Sequence, residues 1–408
     1  MISEPLMVIA AIIVVYGVFS ANLSRMWISP PMAFMLVGLL VGSAGLGILE
    51  INVQNSLLEA FGEITLGLIL FADAASTNAN RLIRDNRLPL RLLIVGLPLT
   101  IALGTGVAHI LFPSLSWGEK ALIAAILAPT DAALGVAVVS SKLVPERIRQ
   151  AILVESGLND GLALPAVLFF AAIAYSSMEG PERTLSEWML FAGEQIAIGA
   201  AVGLFGGFVL GKMISTADAR GYIDHQFRNL VCIGSALLLL LGAHLAHGNG
   251  FIAAFVGGLV FAGMCQARVS DFVSFIEEEG QLFSLLIFFF FGVAIFPAAL
   301  PFITVFCVSY ALLSLTVIRM LPMAISLIGA KVSLPGTAFI GWFGPRGLAS
   351  ILFLFIAIEH QEMERLSQVE AIVYITVFLS VILHGITAPI LSARYGNSEA
   401  AKRDGGTA

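Results

Sequence analysis

Long apolar runs follow one another along the whole chain, separated by short charged or Pro/Gly-rich breaks. A helix needs about 20 apolar residues to cross the hydrocarbon of a bilayer. The pattern therefore predicts an all-α polytopic membrane protein with about thirteen transmembrane helices. The predicted spans are residues 5–23, 31–48, 55–75, 88–112, 119–141, 146–175, 185–213, 226–246, 250–267, 279–298, 301–329, 334–359 and 366–392. The first run has neither a basic region before it nor a small-residue cleavage site, so we expect an uncleaved helix rather than a signal peptide.

Composition supports the membrane assignment and removes several function classes. Of 408 residues, 58% are hydrophobic and 12% are charged, whereas a soluble domain carries about 25% charged residues. Nucleic-acid binding and soluble enzyme activity are therefore excluded, and we expect no cofactor. Cys232, Cys265 and Cys307 all lie inside apolar runs, which is typical of small core residues rather than of disulfides.

The distribution of Lys and Arg predicts the orientation. Loops after even-numbered spans hold only Lys120, Arg183 and Arg365. Loops after odd-numbered spans and the tail hold sixteen: Arg25, Arg81, Arg84, Arg87, Arg91, Lys142, Arg147, Arg149, Lys212, Arg220, Arg228, Arg268, Lys331, Arg394, Lys402 and Arg403. Because cytoplasmic loops carry the excess of basic residues, we expect the N-terminus outside and the C-terminus in the cytoplasm of a cell-membrane protein. Residues 1–395 would form one transmembrane unit and residues 396–408 a short cytoplasmic tail.

Two acids lie at the same predicted depth in consecutive helices. Asp131 is 14 residues before Pro145, at the turn between spans five and six, and Asp160 is 15 residues after it. At 1.5 Å per residue both carboxylates lie roughly 21 to 22 Å from that turn, near the middle of the membrane. A buried charge there costs at least about 2.5 to 3.5 kcal/mol, which favours a functional role over a satisfied polar contact.

Polar neighbours extend this pair into a candidate cation and proton site. Thr130 precedes Asp131, Asn159 precedes Asp160, and Ser156 shares a helical face with Asp160. Pro129 predicts an interruption of the fifth helix, since proline removes a backbone donor. Broken helices expose carbonyl oxygens that bind alkali cations in transporters. Protons and a hard cation would compete for these oxygens.

Other charges in the membrane have several interpretations. Glu155 and Arg319 have similar predicted depths, which favours an ion pair that holds helices six and eleven together. Arg346 lies in GWFGPRGLAS, so it could offset helix C-terminal dipoles or the aspartates at a second broken helix, or mark only a kink. Asp73 could line a cytoplasmic funnel or lie at the membrane interface.

An ordered set of motifs resembles a known family. APTDAALG, VESGLNDG, GNGFIAAFVGGL, SLTVIRMLP, GWFGPRGLAS and LHGITAPIL occur in this order. Together they resemble the monovalent cation:proton antiporters of the Na+/H+ exchanger branch, the prokaryotic NhaP-type proteins. The resemblance covers about residues 5 to 395.

The resemblance implies an inverted-repeat fold in which the fifth and twelfth helices are interrupted and crossed, with core and dimerisation domains interleaved in sequence. It implies a cation site of Asp131, Asp160, Ser156 and the Thr130 carbonyl, with Asp160 as the principal proton carrier. Asn159 matches the neutral position of the family's Asn-Asp pair, which resembles the electroneutral class. Glu155 and Arg319 match the structural ion pair, and Arg346 matches the arginine of the second interrupted helix. Asp73 lies where relatives often carry Glu.

These observations lead to the hypothesis of a homodimeric antiporter that exchanges Na+ or Li+, or alternatively K+, for H+ by alternating access. A passive cation channel could use the same oxygens. A third possibility is an intramembrane hydrolase with Asp131 and Asp160 as a catalytic dyad. The matches at the GPRG segment and at the ion pair favour the transporter.

Overall fold

The computed structural model describes residues 3–49, 56–76, 87–131, 134–135, 138, 141–176, 184–265, 269–358 and 366–404. The regular secondary structure in these ranges is helical, with loops between the helices and no strand. This confirms the all-α fold class. The helices are α1 (Ser3–Arg25), α2 (Pro30–Val41), α3 (Ser56–Ser76), α4 (Arg87–Arg91, the π-helical turn Leu92–Gly96 and Leu97–Leu111), α5 (Trp117–Ile126), α6 (Glu146–Ser176), α7 (Leu185–Ala219), α8 (His225–Leu245), α9 (Gly250–Cys265), α10 (Val269–Phe290, the π-helical turn Phe291–Ile295, Phe296–Ala299 and the 3-10 turn Leu300–Phe302), α11 (Val305–Leu315), α12 (Val317–Ser326), α13 (Leu334–Trp342), α14 (Leu348–Ile358) and α15 (Leu366–Asp404).

Seven helical stretches among the described residues are long and apolar enough to cross a membrane. They are Leu88–Leu111, Glu146–Ala174, Ser186–Ala219, Gln226–Leu245, Gly280–Phe302, Val305–Ser326 and Ser367–Ser398. Shorter apolar helices among the described residues precede the first of these stretches or lie between them, including Pro30–Val41, Gly250–Cys265 and Leu348–Ala357. The chain is therefore a multi-pass membrane protein.

Local sequence explains where several helices begin. Ser116 and Glu119 form a capping box at the start of α5, and Thr184 and Glu187 form another at the start of α7. Each pair satisfies two backbone N–H groups that the first helical turn leaves without partners. Ser333 caps α13 in the same way by accepting from Gly336 N at 3.2 Å.

Several predicted boundaries were wrong. Helix α10 begins at Val269 and not at residue 279, α7 continues to Ala219, and α15 continues to Asp404. Hydropathy locates the part of a helix that suits hydrocarbon, while backbone hydrogen bonding continues into the polar segments beside the membrane. The proposed tail at 396–408 is therefore helical as far as residue 404.

Glycines bring α7 and α9 into close backbone contact. Gly203 and Gly207 of α7 face Ala253 and Gly257 of α9, where an added Cβ would lie only 2.7 Å from a carbonyl oxygen of the other helix. Gly258 packs in the same way against the backbone of Phe71 in α3. Small residues allow this close packing of membrane helices.

Two helical stretches are interrupted, at the positions that the sequence predicted. Helix α5 ends at Ile126, and the next helical residues described are Leu134 and Gly135. Helix α13 ends at Trp342, and α14 begins at Leu348 after five non-helical residues. The two non-helical segments contact each other directly, because Asp131 N donates a hydrogen bond to Pro345 O at 2.8 Å.

Candidate functional site

Asp131 lies where the two non-helical segments meet. Besides the bond from its own N–H to Pro345 O, its Oδ2 accepts a hydrogen bond from Leu348 N at 2.8 Å. Gly347 allows this approach, since a Cβ at that position would collide with the Asp131 carboxylate. The first helical N–H of α14 thus points at a carboxylate, an arrangement that the helix dipole stabilises.

Side chains of α6 bind Thr130, which lies in the non-helical segment after α5. Ser156 Oγ donates a hydrogen bond to Thr130 O at 2.6 Å, and Asn159 Nδ2 donates to Thr130 Oγ1 at 2.7 Å. Since positions three and four apart share a helical face, Ser156, Asn159 and Asp160 all lie on the side of α6 near this segment. All four residues are buried.

Asp160 is buried with one free oxygen. Its exposed fraction is 6%, and Oδ1 has no hydrogen-bond partner in the part of the chain that the structure describes. Asp131, Asp73 and Glu155 all lie within electrostatic range of its carboxyl group. A buried carboxyl oxygen surrounded by other acids is favourable only when it binds a proton or a cation.

Glu155 and Arg319 form a bidentate ion pair. Arg319 Nη1 and Nη2 donate to Glu155 Oε1 and Oε2 at 2.9 and 2.8 Å, and each side chain is 1% exposed. Asn159 Nδ2 also donates to Glu155 Oε1 at 3.1 Å, and Thr130 Oγ1 donates to Oε2 at 3.4 Å. The pair therefore joins α6 to α12 and is part of the same hydrogen-bond network as Thr130.

Arg346 is fully buried in the second non-helical segment. Its Nη1 donates to Gly344 O at 2.8 Å, and its backbone N–H donates to Ser380 Oγ at 2.7 Å. The guanidinium thus binds a carbonyl oxygen just after the C-terminal end of α13. The three interpretations of Arg346, which are an offset of helix C-terminal dipoles, an offset of the aspartates and a simple kink, stay predictions.

Asp73 lies beside the candidate site. It is half-buried on α3, and a Cβ at Gly157 would lie 3.6 Å from the Asp73 Cβ. Gly157 follows Ser156 directly on α6. Whether Asp73 lines a cytoplasmic funnel or lies at the membrane interface stays a prediction.

Two serines that support the interruptions could not be identified from the sequence. Ser350 Oγ donates to Ile126 O at 2.9 Å and so joins the end of α5 to α14. Ser380 accepts the Arg346 N–H, as described above. Small polar residues inside strongly apolar spans were the available signal, but single serines are too common in membrane helices to select. His384 of α15 is buried, and both of its ring nitrogens have partners.

Comparisons with known proteins agree with this architecture. Residues 8–394 match the family described as sodium/hydrogen exchanger, transmembrane. The K(+)/H(+) antiporter NhaP of Alkalimonas amylolytica is 24% identical over 356 residues, which cover 86% of this chain and 60% of that protein. The Na(+)/H(+) antiporter of Schizosaccharomyces pombe is 27% identical over 324 residues, which cover 70% of this chain and 67% of that protein.

The fold matches solved structures as well. The sodium proton antiporter MjNhaP1 from Methanocaldococcus jannaschii at pH 8 superposes with a TM-score of 0.75 at 22% identity, covering 96% of this chain and 98% of that one. The match to the family extends over nearly the whole chain and includes both interruptions and the acids between them. The protein therefore belongs to the sodium/hydrogen exchanger family.

Proposed function

We propose that this protein exchanges a monovalent cation for H+ across the cell membrane by alternating access. The observation that carries the proposal is the buried Asp160, with a carboxyl oxygen that lacks a partner, next to a segment of broken helix that contains Thr130 and Asp131. Carboxylate, hydroxyl and carbonyl oxygens are the ligands that hard cations prefer. A proton on Asp160 removes the negative charge that attracts the cation, so each would displace the other.

The ligand set would be Asp131, Asp160, Ser156 and the Thr130 carbonyl. Ser156 Oγ donates to Thr130 O at 2.6 Å, so the two oxygens are close enough to bind one cation together, and the lone pairs of Oγ stay available while it donates. Asp131 is held by two backbone hydrogen bonds and would supply fixed charge. Asp160 would carry the proton, since its Oδ1 is free.

Asn159 supports a stoichiometry of one cation for one proton. Its amide donates to Thr130 Oγ1 and to Glu155 Oε1, so it serves the network as a neutral donor. Glu155 is neutralised by Arg319. Asp160 is then the acid in this network that is free to exchange its proton, and one proton would leave for each cation that enters.

The proposed cation is Na+ or Li+, or alternatively K+. The Alkalimonas relative is named a K(+)/H(+) antiporter and the Schizosaccharomyces relative a Na(+)/H(+) antiporter, while this chain spans 60% of the length of the first. Selectivity depends on the size of the cavity and the number of ligands. The transport assay therefore includes all three cations.

We also propose an orientation with the C-terminus in the cytoplasm. Arg91 donates to Ile328 O at 2.8 Å, and Arg147 donates to Ala330 O at 3.0 Å. The basic loops after three odd-numbered spans thus lie together at one end of the molecule, as cytoplasmic loops do. The other residues of that prediction that lie outside the described part of the chain are Arg81, Arg84, Arg183, Arg268 and Arg365.

A homodimer is the remaining part of the proposal. In this arrangement a core domain with both interruptions moves against a scaffold domain that pairs with its copy. The family resemblance supports this division. The mass of the detergent-free particle in lipid nanodiscs would distinguish one copy from two.

The function is tested with purified protein in liposomes that enclose a pH-sensitive dye. We expect the lumenal pH to change when Na+, Li+ or K+ is added outside, and we expect the rate to be unchanged when a gradient of the permeant anion thiocyanate imposes a voltage. A steady cation current without proton movement would instead establish a channel and refute exchange.

A further inference from the structure

The second interruption, residues 343–347 between α13 and α14, leaves backbone groups that no helical hydrogen bond can satisfy, as at any helix end. Helix α15 supplies partners on both sides of it. His384 Nε2 donates to Trp342 O, at the end of α13, at 2.9 Å. Ser380 Oγ accepts from Arg346 N, just before α14, at 2.7 Å. The side chains of α15 therefore replace hydrogen bonds that a continuous helix would have made.

Ser380 and His384 are joined to each other as well. They are one turn apart on α15, and His384 Nδ1 lies 3.3 Å from Ser380 Oγ and 3.0 Å from Ser380 O. Trp342 O and Ser380 O can only accept, so Nε2 carries the proton that binds Trp342 O, and Nδ1 either accepts from the Ser380 hydroxyl or, in the imidazolium, donates to Ser380 O. In both cases Ser380 Oγ accepts from Arg346 N. Ser380 and His384 thus bind the backbone on both sides of the interruption.

The surroundings fix the orientation of the imidazole ring. Ser380 is 0% and His384 1% exposed. The indole of Trp342 stacks on the imidazole at a centroid distance of 5.1 Å, and Trp342 Nε1 donates to Thr387 Oγ1 of α15 at 3.0 Å. Because the ring is packed on one face and bonded at both nitrogens, it is a rigid support.

Two backbone groups close to Arg346 in the chain bind Asp131, one directly before Arg346 and one two residues after it. Pro345 O accepts the Asp131 N–H, and Leu348 N donates to the Asp131 carboxylate. A shift of the Arg346 backbone would move both groups together. We propose that Ser380 and His384 are positioning residues, which hold the second interruption in the geometry that presents these two backbone groups to Asp131 and so set the affinity for the cation. This inference rests on the proposed function for its transport consequence.

The test compares variants of α15 in the liposome assay. Ser380→Ala and His384→Leu each remove one link, and we expect the KM for the transported cation to rise about tenfold while the maximal rate changes little, because the hydrogen bond to a charged carboxylate is weakened. His384→Gln can donate to Trp342 O and accept from Ser380, and Ser380→Thr keeps the hydroxyl, so both should recover most of the affinity.

Thr376 provides a matched control. It is buried one turn before Ser380, and its hydroxyl donates only within α15, to Ile372 O at 2.6 Å. Thr376→Val should leave KM unchanged. An equal rise in KM for Thr376→Val, or no rise for Ser380→Ala when the wild-type protein exchanges normally, would overturn the inference.

A second measurement does not depend on transport. Hydrogen–deuterium exchange of the 343–348 peptide should be faster in Ser380→Ala than in the wild-type protein and unchanged in Thr376→Val. If the wild-type protein showed no exchange activity, the proposed function would fail, while the peptide would still decide whether α15 holds the interruption. Identical deuterium uptake in all three proteins would refute the role of Ser380 in holding the second interruption.

Discussion

Two regions of this molecule bring backbones unusually close together, and they do so by opposite means. Around the two interruptions, buried side chains replace the missing helical bonds, as Ser156 does for Thr130 and Ser380 does for Arg346. Between α7 and α9 the contact is made by the glycine surfaces of two continuous helices, such as Gly203 and Gly257.

The difference shows what each region can do. Glycine packing gains dispersion contacts but exposes no polar group, because every backbone bond stays within its helix. An interrupted helix exposes carbonyl and N–H groups in the membrane, which is tolerated only where protein or a ligand satisfies them. The glycine-packed region therefore suits a scaffold, and the interrupted region suits a site that binds and releases ions.

The largest effect is expected from removal of the proton carrier. Asp160→Asn keeps the size of the side chain and lets the amide pair with its neighbours, so the protein should fold. Exchange should fall to the level of empty liposomes for every cation, because the amide neither titrates nor attracts a cation. Cation-dependent proton flux that stays well above empty liposomes in a folded Asp160→Asn protein would refute the assignment.

A large loss of stability is expected from breaking the buried ion pair. Glu155→Ala leaves Arg319 buried without its partner, which costs about 3 to 5 kcal/mol. Thermal unfolding followed by size-exclusion chromatography should show a clear fall in melting temperature.

The double change Glu155→Gln with Arg319→Met provides the control for this pair. It removes both charges and should be more stable than Glu155→Ala, because no lone charge is left buried. A melting temperature for Glu155→Ala equal to that of the wild-type protein would count against the pair as a stabilising element.

A moderate loss of stability is expected in the glycine-packed region. A side chain at Gly257 would press on Leu239, which an added Cβ would approach within 2.4 Å, so Gly257→Val overfills the packing, at a cost of about 1 to 3 kcal/mol. Gly263→Val on the same helix is the control, since an added Cβ there meets nothing within 4 Å. Equal melting temperatures for these two variants would contradict the close packing of Gly257 against Leu239 of α8.

The smallest effect should come from the hydroxyl of Thr130. Thr130→Val keeps the carbonyl proposed as a cation ligand but loses the bonds to Asn159 and Glu155, which costs about 1 kcal/mol. The KM should rise several-fold in the liposome assay, and Thr130→Ser should resemble the wild-type protein. Loss of all exchange in Thr130→Val would mean that the hydroxyl, and not the carbonyl, is the essential oxygen.

Hydropathy and motif spacing predicted much of this architecture. The count of residues from Pro145 placed Asp131 and Asp160 at one level, and the structure places them within electrostatic range of each other. Proline and glycine correctly marked both interruptions, because these residues disfavour continuous helix. The roles of the site residues stay predictions that the transport assays test.

The partners across the fold could not be predicted. Nothing in the sequence indicates that Leu348 N would bind Asp131 or that Ser380 would accept from Arg346, since these contacts join segments far apart in the chain. Helix ends such as Val269 and Asp404 were also missed, because hydropathy responds to the bilayer and not to backbone hydrogen bonds.

The central claim is that Asp160 holds either a proton or a cation, and proton release measures this directly. Purified protein in weakly buffered detergent solution is titrated with Na+ or K+ while the pH and the heat of binding are recorded. We expect one proton to leave per cation bound, and neither heat nor proton release in Asp160→Asn. Cation binding without proton release, or equal release from Asp160→Asn, would contradict the account.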